Sequence, residues 1–250
     1  MSVMGRLVFI TGTDTGVGKT FLSALLLVHL RNCGVRARAM KLFASGDRKD
    51  ARLFDELQGS ELPRRLLNPF FFPAAIAPGA QLKAGPAPAL ENILDVVRNA
   101  LDRSEVLIVE GIGGLLVPVT EKLLVIDVIA ALNPSLVLVA QNKVGVINHT
   151  LLSIEALCRR GCKKICVVLM GMERPDASVQ TNYRMLRKRS GVSIYQVEFF
   201  GKTASQPSAV KRHAKKIEKV LASLSKTIKF TAAFRKKPLH RSASKKRKSS

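Results

Sequence analysis

The sequence predicts an α/β fold: a doubly wound, mostly parallel sheet folded as one domain, followed by a basic C-terminal tail. Three observations point there. Strand-length apolar runs alternate with amphipathic stretches over the first two hundred residues. Most of those runs are apolar on both faces, as strands are when helices cover both sides of a parallel sheet. The turn between the first run and the first helix is rich in glycine and closes on Gly18-Lys19-Thr20. Such a turn aims backbone N–H groups and a helix N-terminus at one point, where a phosphate is the natural guest.

Leu7-Val8-Phe9-Ile10 reads as a buried first strand, and residues 19–32 as a helix buried along Phe21 to Val28. A second strand is expected at 37–42 and a helix at 47–58. Residues 68–86, rich in Pro, Ala and Gly, read as a long loop, which inside a compact domain is more often functional than idle. A helix at 90–102 leads into a strand at 106–109, and a fourth strand follows at 135–140. Helix 147–160, strand 165–170, helix 176–190 and strand 193–198 complete the alternation, with right-handed crossovers. Residues 208–225 fit one further helix, since Val210, Ile217, Val220 and Leu221 fall on one face.

At 250 residues and 47% hydrophobic content the chain can bury a full core, and no apolar run reaches bilayer length. The N-terminus enters a strand within six residues, so a cytoplasmic protein without a secretory leader is expected. Cys33, Cys158, Cys162 and Cys166 lack paired spacing and are read as buried free thiols. The net charge of +23 is uneven: from Gly201 onward there are sixteen Lys and Arg residues against Glu218 alone. Residues 226–250 set these cations among Ser and Pro, the composition of a flexible solvated tail. Nonspecific polyanion contact through that tail is the second reading; no Phe, Tyr or Trp lies within or between its clusters Arg235-Lys236-Lys237 and Lys245-Lys246-Arg247-Lys248 for base stacking.

The chemistry starts at Gly12-Thr13-Asp14-Thr15-Gly16-Val17-Gly18-Lys19-Thr20, a P-loop lengthened by one residue. Lys19, at the solvent edge of the loop, reaches the terminal phosphates of a nucleotide, and the Thr20 hydroxyl ligates Mg²⁺. Val106 to Val109 ends in Glu110 and a flexible Gly111-Ile112-Gly113-Gly114 turn, and such a strand-end carboxylate holds Mg²⁺ beside a phosphate loop. Asp47 is a plausible helix N-cap. The loop through Gly145 opens a helix at Ile147, and its free N–H groups suit a carboxylate. His149 is read as structural.

The long loop resembles the Gly-Thr-Asp-Thr-x-Val-Gly-Lys-Thr signature of the dethiobiotin synthetase family, and the resemblance spans roughly residues 5–200. It implies a P-loop NTPase-like domain that uses ATP and Mg²⁺ to close a ureido ring on 7,8-diaminononanoate with CO₂ or bicarbonate. Asp14 and Thr15 then help hold metal and ATP near the substrate amine, and Gly16, Val17, Gly18, Lys19, Thr20, Glu110 and Gly113 hold the nucleotide. Lys41 and Ser45, in Met40-Lys41-Leu42-Phe43-Ala44-Ser45-Gly46, match the family's Lys-Pro-x-x-[Ser/Thr]-Gly. A cation there could neutralise a carbamate and the attacked γ-phosphate together. Asp50 matches the Asp that completes the metal site with Thr20 and Glu110, with Asp47 as competitor. Gly145, Ile147, Asn148 and Tyr183 match the residues that bind the substrate carboxylate across a two-fold homodimer.

Departures from the pattern are Ile112, Leu42 in place of proline, Gly79 in place of a histidine, and Gln196 to Phe200 after the last strand. Met170-Gly171 stands where the family has its base-reading Asn, so relaxed nucleotide choice is expected. The alternative reading is a partitioning-type P-loop ATPase switch that binds nucleic acid through its basic tail. Asp14 at that family's signature-Lys position, with the Lys41, Ser45 and Asn148 matches, opposes it. An amide-forming relative from cobalamin synthesis would need a further glutaminase domain, for which the chain is too short.

Overall fold

The computed structural model of the protein describes residues 5–84 and 88–228. Residues 1–4, 85–87 and 229–250, among them the end of the expected 68–86 loop and most of the expected tail, lie outside the described residues. Six strands form one parallel sheet in the order β2-β5-β1-β6-β7-β8. They are β1 (Arg6–Gly12), β2 (Ala37–Lys41), β5 (Val106–Glu110), β6 (Ser135–Gln141), β7 (Ile165–Met170) and β8 (Ser193–Val197). All six strands expected from the sequence are present, and their order puts β1 inside, between β5 and β6. The phosphate loop therefore leaves from the middle of the sheet's carboxyl edge, where the strand order reverses and ligands of such folds bind.

Helix α1 (Lys19–Asn32) is apolar nearly all round, and Leu22 through Leu30 are buried, as a helix with no polar face must be. It packs on α2 (Lys49–Gln58), α8 (Pro207–Lys216) and α9 (Glu218–Thr227). Elsewhere α4 (Leu90–Leu101) meets α5 (Val125–Leu132), and α6 (Val146–Arg159) meets α7 (Val179–Arg189). Val8, Phe9, Leu25, Leu107, Val137 and Val167 are all fully buried in the core between sheet and helices.

Several expectations are corrected. The stretch read as one long loop holds β4 (Phe70–Phe72) and a 3-10 turn at Pro78–Ala84. β4 pairs in parallel with β3 (Phe43–Ser45) in a separate two-stranded sheet, with the rings of Phe43 and Phe70 5.5 Å apart. The short α3 (Arg64–Leu67) and α5 were not foreseen; α5 starts where the Leu124 N–H donates to Asp127 Oδ2 at 2.8 Å. The helix expected at 208–225 is two helices that break at Ile217, and α9 runs past that boundary to Thr227, with Ile228 buried. Cys162 and Cys166 are buried free thiols as expected, whereas Cys33 and Cys158 are exposed.

Candidate active site

The loop after β1 is tied to the next strand by Thr13 N–H donating to Val139 O at 2.9 Å. It ends at Gly18, whose φ of 99° is left-handed and lets α1 begin immediately at Lys19. A Cβ there would also lie 3.1 Å from Met170 Cγ. Lys19 is not at a solvent edge: it is buried, and its ammonium folds back to donate to Asp14 O at 2.7 Å and Gly113 O at 3.0 Å. Loss of hydration on burial pushes its pKa down to about 8, against the pull of Glu110 in the other direction. Asp14, Thr15 and Gly16 are exposed on the outer side of the loop, while Val17 is buried. A Cβ built at Gly113 would lie 3.5 Å from Thr15 Oγ1, so this turn runs beside the loop.

The strand order brings together residues far apart in sequence. Lys41 ends β2 and Glu110 ends β5, in register as direct neighbours. The Lys41 ammonium lies 2.5 Å from Glu110 Oε1 and 2.6 Å from Asp50 Oδ2, and Thr20 Oγ1 donates to the same Glu110 oxygen at 2.8 Å. Burial strips hydration from Lys41, yet Glu110 and Asp50 together raise its pKa above the ordinary lysine value. Asp50, on α2, is thus the carboxylate that joins this cluster. Asp47 is exposed and accepts from Lys49 N–H at 2.8 Å, steadying the start of α2 from outside. Asn68, which the sequence gave no reason to single out, donates through Nδ2 to Lys41 O at 2.9 Å and fixes the end of β2.

Glu110 is fully buried, and its second oxygen, Oε2, has no hydrogen-bond partner among the described residues. An unsatisfied buried carboxylate oxygen next to a threonine hydroxyl at a phosphate loop fits a hard divalent cation. No group of three or more His, Cys, Asp and Glu side chains is placed to hold a metal among the described residues. The remaining ligands of such a cation would be phosphate and water oxygens, the usual arrangement for Mg²⁺. Ser45 ends β3, and its Oγ is likewise buried without a partner among the described residues.

Gly145, Ile147 and Asn148 lie one strand further along the carboxyl edge. Gly145 is the N-cap of α6, which opens at Val146, one residue earlier than expected. The loop before it is held from α7: Asn182 Nδ2 donates to Asn142 Oδ1 at 2.9 Å and Lys143 O at 3.3 Å, and Val144 N–H donates to Asp176 Oδ2 at 2.9 Å. Asn182 had no signal in the sequence; it is a buried amide that joins α7 to the loop before α6. Its neighbour Tyr183 is half-buried and lines a shallow groove with Arg184, Arg187 and Lys188. His149 and Asn148 are exposed, as are the large apolar side chains of Val144 and Leu152 on the same helix and its entry loop. These residues do not touch the Lys41–Glu110 cluster in any hydrogen bond or ion pair among the described residues.

A cavity of about 650 Å³ opens beside Gly16, Val17 and Gly18 and extends to Met170-Gly171 and to Glu198 through Phe200. Gly171 cannot carry a side chain here, because a Cβ would lie 2.6 Å from Phe199 N. The chain leaving β8 occupies the space that a side chain at residue 171 would need.

A family model described as an AAA domain matches residues 6–202. The ATP-dependent dethiobiotin synthetase BioD of Anaeromyxobacter sp. (strain Fw109-5) is 39% identical over 193 residues, covering 74% of this chain and 86% of that relative. The enzyme of the same name from Bacillus licheniformis is 36% identical over 196 residues, covering 76% of this chain and 83% of its own length. Among solved structures, a ParA family ATPase from Chlorobium tepidum superposes with a TM-score of 0.54 at 16% identity, covering 91% of this chain and 97% of its own. At that identity the likeness concerns the fold alone. In the described residues no helix is long and apolar enough to cross a membrane.

Proposed function

The chain belongs to the family of ATP-dependent dethiobiotin synthetases, and on that premise we propose how its residues divide the work. It is an ATP-dependent ligase of biotin biosynthesis that closes the ureido ring of dethiobiotin. The reaction runs in three steps: an amine of 7,8-diaminononanoate captures CO₂ as a carbamate, a carbamate oxygen attacks the γ-phosphate of ATP and ADP leaves, and the second amine closes the ring as phosphate leaves. No side chain need become a covalent nucleophile; placement and charge neutralisation supply the rate.

The observation that carries this division is the buried Lys41 ammonium joined to Glu110, which also accepts from Thr20 at the start of α1. Lys41 is the cation for the carbamate and the attacked phosphate. Lys19, released from Asp14 O and Gly113 O, neutralises the terminal phosphates. Gly16, Val17, Gly18 and Gly113 line the nucleotide, with Thr15 beside the substrate amine. Thr20, Glu110 and Asp50 would hold Mg²⁺. When bound, that ion supplies charge neutralisation on the phosphate oxygens.

Ser45, with its unpartnered hydroxyl, holds the substrate end nearest Lys41. Gly145, Ile147 and Asn148, at the start of α6, receive the far carboxylate together with Tyr183 of the second subunit in a two-fold homodimer. The exposed Val144 and Leu152 beside that helix start support a covering copy of the same chain. The cytoplasm, where ATP is plentiful, is the compartment proposed, and contact of the basic C-terminal residues with polyanions is a separate, nonspecific property. The test is direct: diaminononanoate, bicarbonate, ATP and Mg²⁺ are incubated with the protein and product is detected by mass. Formation of dethiobiotin by the wild type and its loss in Lys41→Met supports the division, whereas a Lys41→Met variant with full turnover refutes the role of Lys41.

A further inference from the structure

Helix α8 starts with Pro207 at its first position and turns Ala209, Val210 and Ala214 into the core, where it packs on α1. The His213 ring adds to that contact, 6.2 Å from the Phe21 ring of α1 between centroids. The helix is thus fixed in orientation, and its sequence decides what it shows outward. Its exposed residues are Ser208, Lys211, Arg212, Lys215 and Lys216, and Lys219 continues them at the start of α9.

Carboxylates dilute such a face on other helices. Asp50, Asp55 and Glu56 stand among the cations of α2, and on α6 Glu155 pairs with Arg159 at 2.6 Å. Helix α7 also lacks carboxylates, but its cations flank Tyr183, already assigned to the substrate. On α8 only Lys216 is neutralised, by Glu198 at 2.6 Å. Lys211, Arg212, Lys215 and Lys219 have no ion pair or side-chain hydrogen bond among the described residues. Glu218, the one acidic residue from Gly201 onward, is felt instead at His29 and Cys33 near the end of α1. Four uncompensated cations on one rigid face repel each other, and an anionic partner relieves that repulsion.

We propose that the outer face of α8, with Lys219, is a docking surface for the phosphate backbone of duplex nucleic acid, carried by the folded domain and separate from the tail. It goes beyond the ring-closing activity and does not depend on it. The chemistry of the face selects the partner. No large apolar side chain of α8 or α9 is exposed, so the face gives a protein no anchor of the kind that carries interface energy and gives a lipid surface nothing to insert. Cations alone suffice for a phosphate backbone, where affinity comes from release of condensed counterions. The ten residues of α8 span about 15 Å. One strand of a duplex sets a phosphate about every 3.4 Å along the axis, so the face covers about four phosphates. The nine Lys and Arg residues of 229–250 follow on the same chain and add to the attraction.

The test measures binding of the full-length protein to short DNA duplexes of two unrelated sequences at rising salt. Lys211→Gln with Lys215→Gln removes two of the four free cations and should shallow the slope of log affinity against log salt by about two. Between about 50 and 200 mM salt the wild type then loses about tenfold more affinity than this variant. Arg212→Gln with Lys219→Gln should give the same change. Lys163→Gln with Lys164→Gln removes equal charge from the exposed turn before β7 and should leave the slope as it was. All three variants should melt and turn over like the wild type, since the altered side chains are exposed. An unchanged slope in the α8 variants, an equal change in the control, or a strong preference for one duplex sequence would overturn the proposal. Vesicles rich in phosphatidylserine are the second probe: loss of vesicle binding in the α8 variants with duplex binding intact would give the face to lipid and overturn it as well.

Discussion

Lys41 and Glu110 stand opposite each other at the ends of neighbouring parallel strands, and the ammonium of one lies 2.5 Å from the carboxylate of the other. Neither is adjacent to the phosphate loop in sequence, yet Thr20 donates to the same carboxylate oxygen. Breaking a buried pair from one side strands a charge and costs about 3–5 kcal/mol. We therefore expect Lys41→Met to lower the melting temperature clearly, and Lys41→Met with Glu110→Gln to recover much of it. Turnover should stay at least about a hundredfold down in both, since the cation is gone. Thermal melts and product assays on the two variants check this; recovery of turnover in the double variant would count against catalysis by Lys41.

Lys19→Ala should behave differently. Its ammonium is buried with a pKa pushed down to about 8, which means that the folded protein gains little from the charge. The melting temperature is expected to hold within a few degrees while ATP-dependent turnover falls by about a thousandfold or more, because a loop lysine acts on the phosphates. A variant that turns over normally would remove the phosphate role, and one that unfolds would show that Lys19 also holds the loop together.

The first strand, the loop and α1 are legible in sequence because their signals are local: an apolar run, glycines and a buried helix follow in order. The partner strands were legible as strands, but the Lys41–Glu110 contact depends on β5 lying between β2 and β1, a non-local pairing that no periodicity encodes. A sequence match suggested Asp50, and only the turn of α2 toward Lys41 separates it from Asp47. β3 and β4 are three residues each, too short for alternation to show. Asn68 and Asn182 carry no pattern at all, since a single amide that bonds the backbone or side chain of a distant segment is defined by its surroundings. The tyrosine and helix start matched to the substrate carboxylate were legible as positions, and in the proposed dimer their partner surface belongs to a second chain.

Gly171→Asn introduces the amide that the sequence resemblance leads one to expect for base reading here, and it should fail. Its Cβ would meet Phe199 N at 2.6 Å, so the chain after β8 must move. We expect weaker binding of every nucleotide and a lower melting temperature, a loss of about 1–3 kcal/mol as overpacking gives. Nucleotide affinities for ATP, GTP and CTP measured beside the melts decide it. A gain in preference for ATP with unchanged stability would mean that the cavity can open at little cost.

His29 supplies a pH dependence away from the reacting groups. It is buried in the last turn of α1, and lost hydration lowers its pKa below 6.5 despite the opposing pull of Glu218. The unfolded chain then takes up a proton first as pH falls. The stability contributed by neutral His29 is complete above about pH 6.5 and is lost as pH drops through the lower folded-state value. The melting temperature should fall between pH 7.5 and 5, and His29→Gln should flatten that fall. An identical slope in the variant would assign the acid sensitivity to other groups.

The C-terminal boundary is the last matter to test, and the packing of α9 moves it. Residues up to 225 were expected to suffice, but Ile228 is buried, its carbonyl accepts from Ser135 Oγ at 3.2 Å, and Thr227 Oγ1 bonds the Tyr195 hydroxyl. Truncation after Ile228 should therefore leave the melting temperature and turnover unchanged, while truncation after Ser225 should lower the melting temperature by several degrees through loss of one buried isoleucine and its hydrogen bonds. Residues 229–250 hold nine Lys and Arg residues and no acidic one. Any retention of the full-length protein on a nucleic-acid column should fall steeply with salt, as counterion release requires, and should weaken in both truncations. Loss of turnover in the chain ending at Ile228 would mean that the removed residues reach the active site, and retention as strong as in the full chain would move the polyanion contact onto the folded domain.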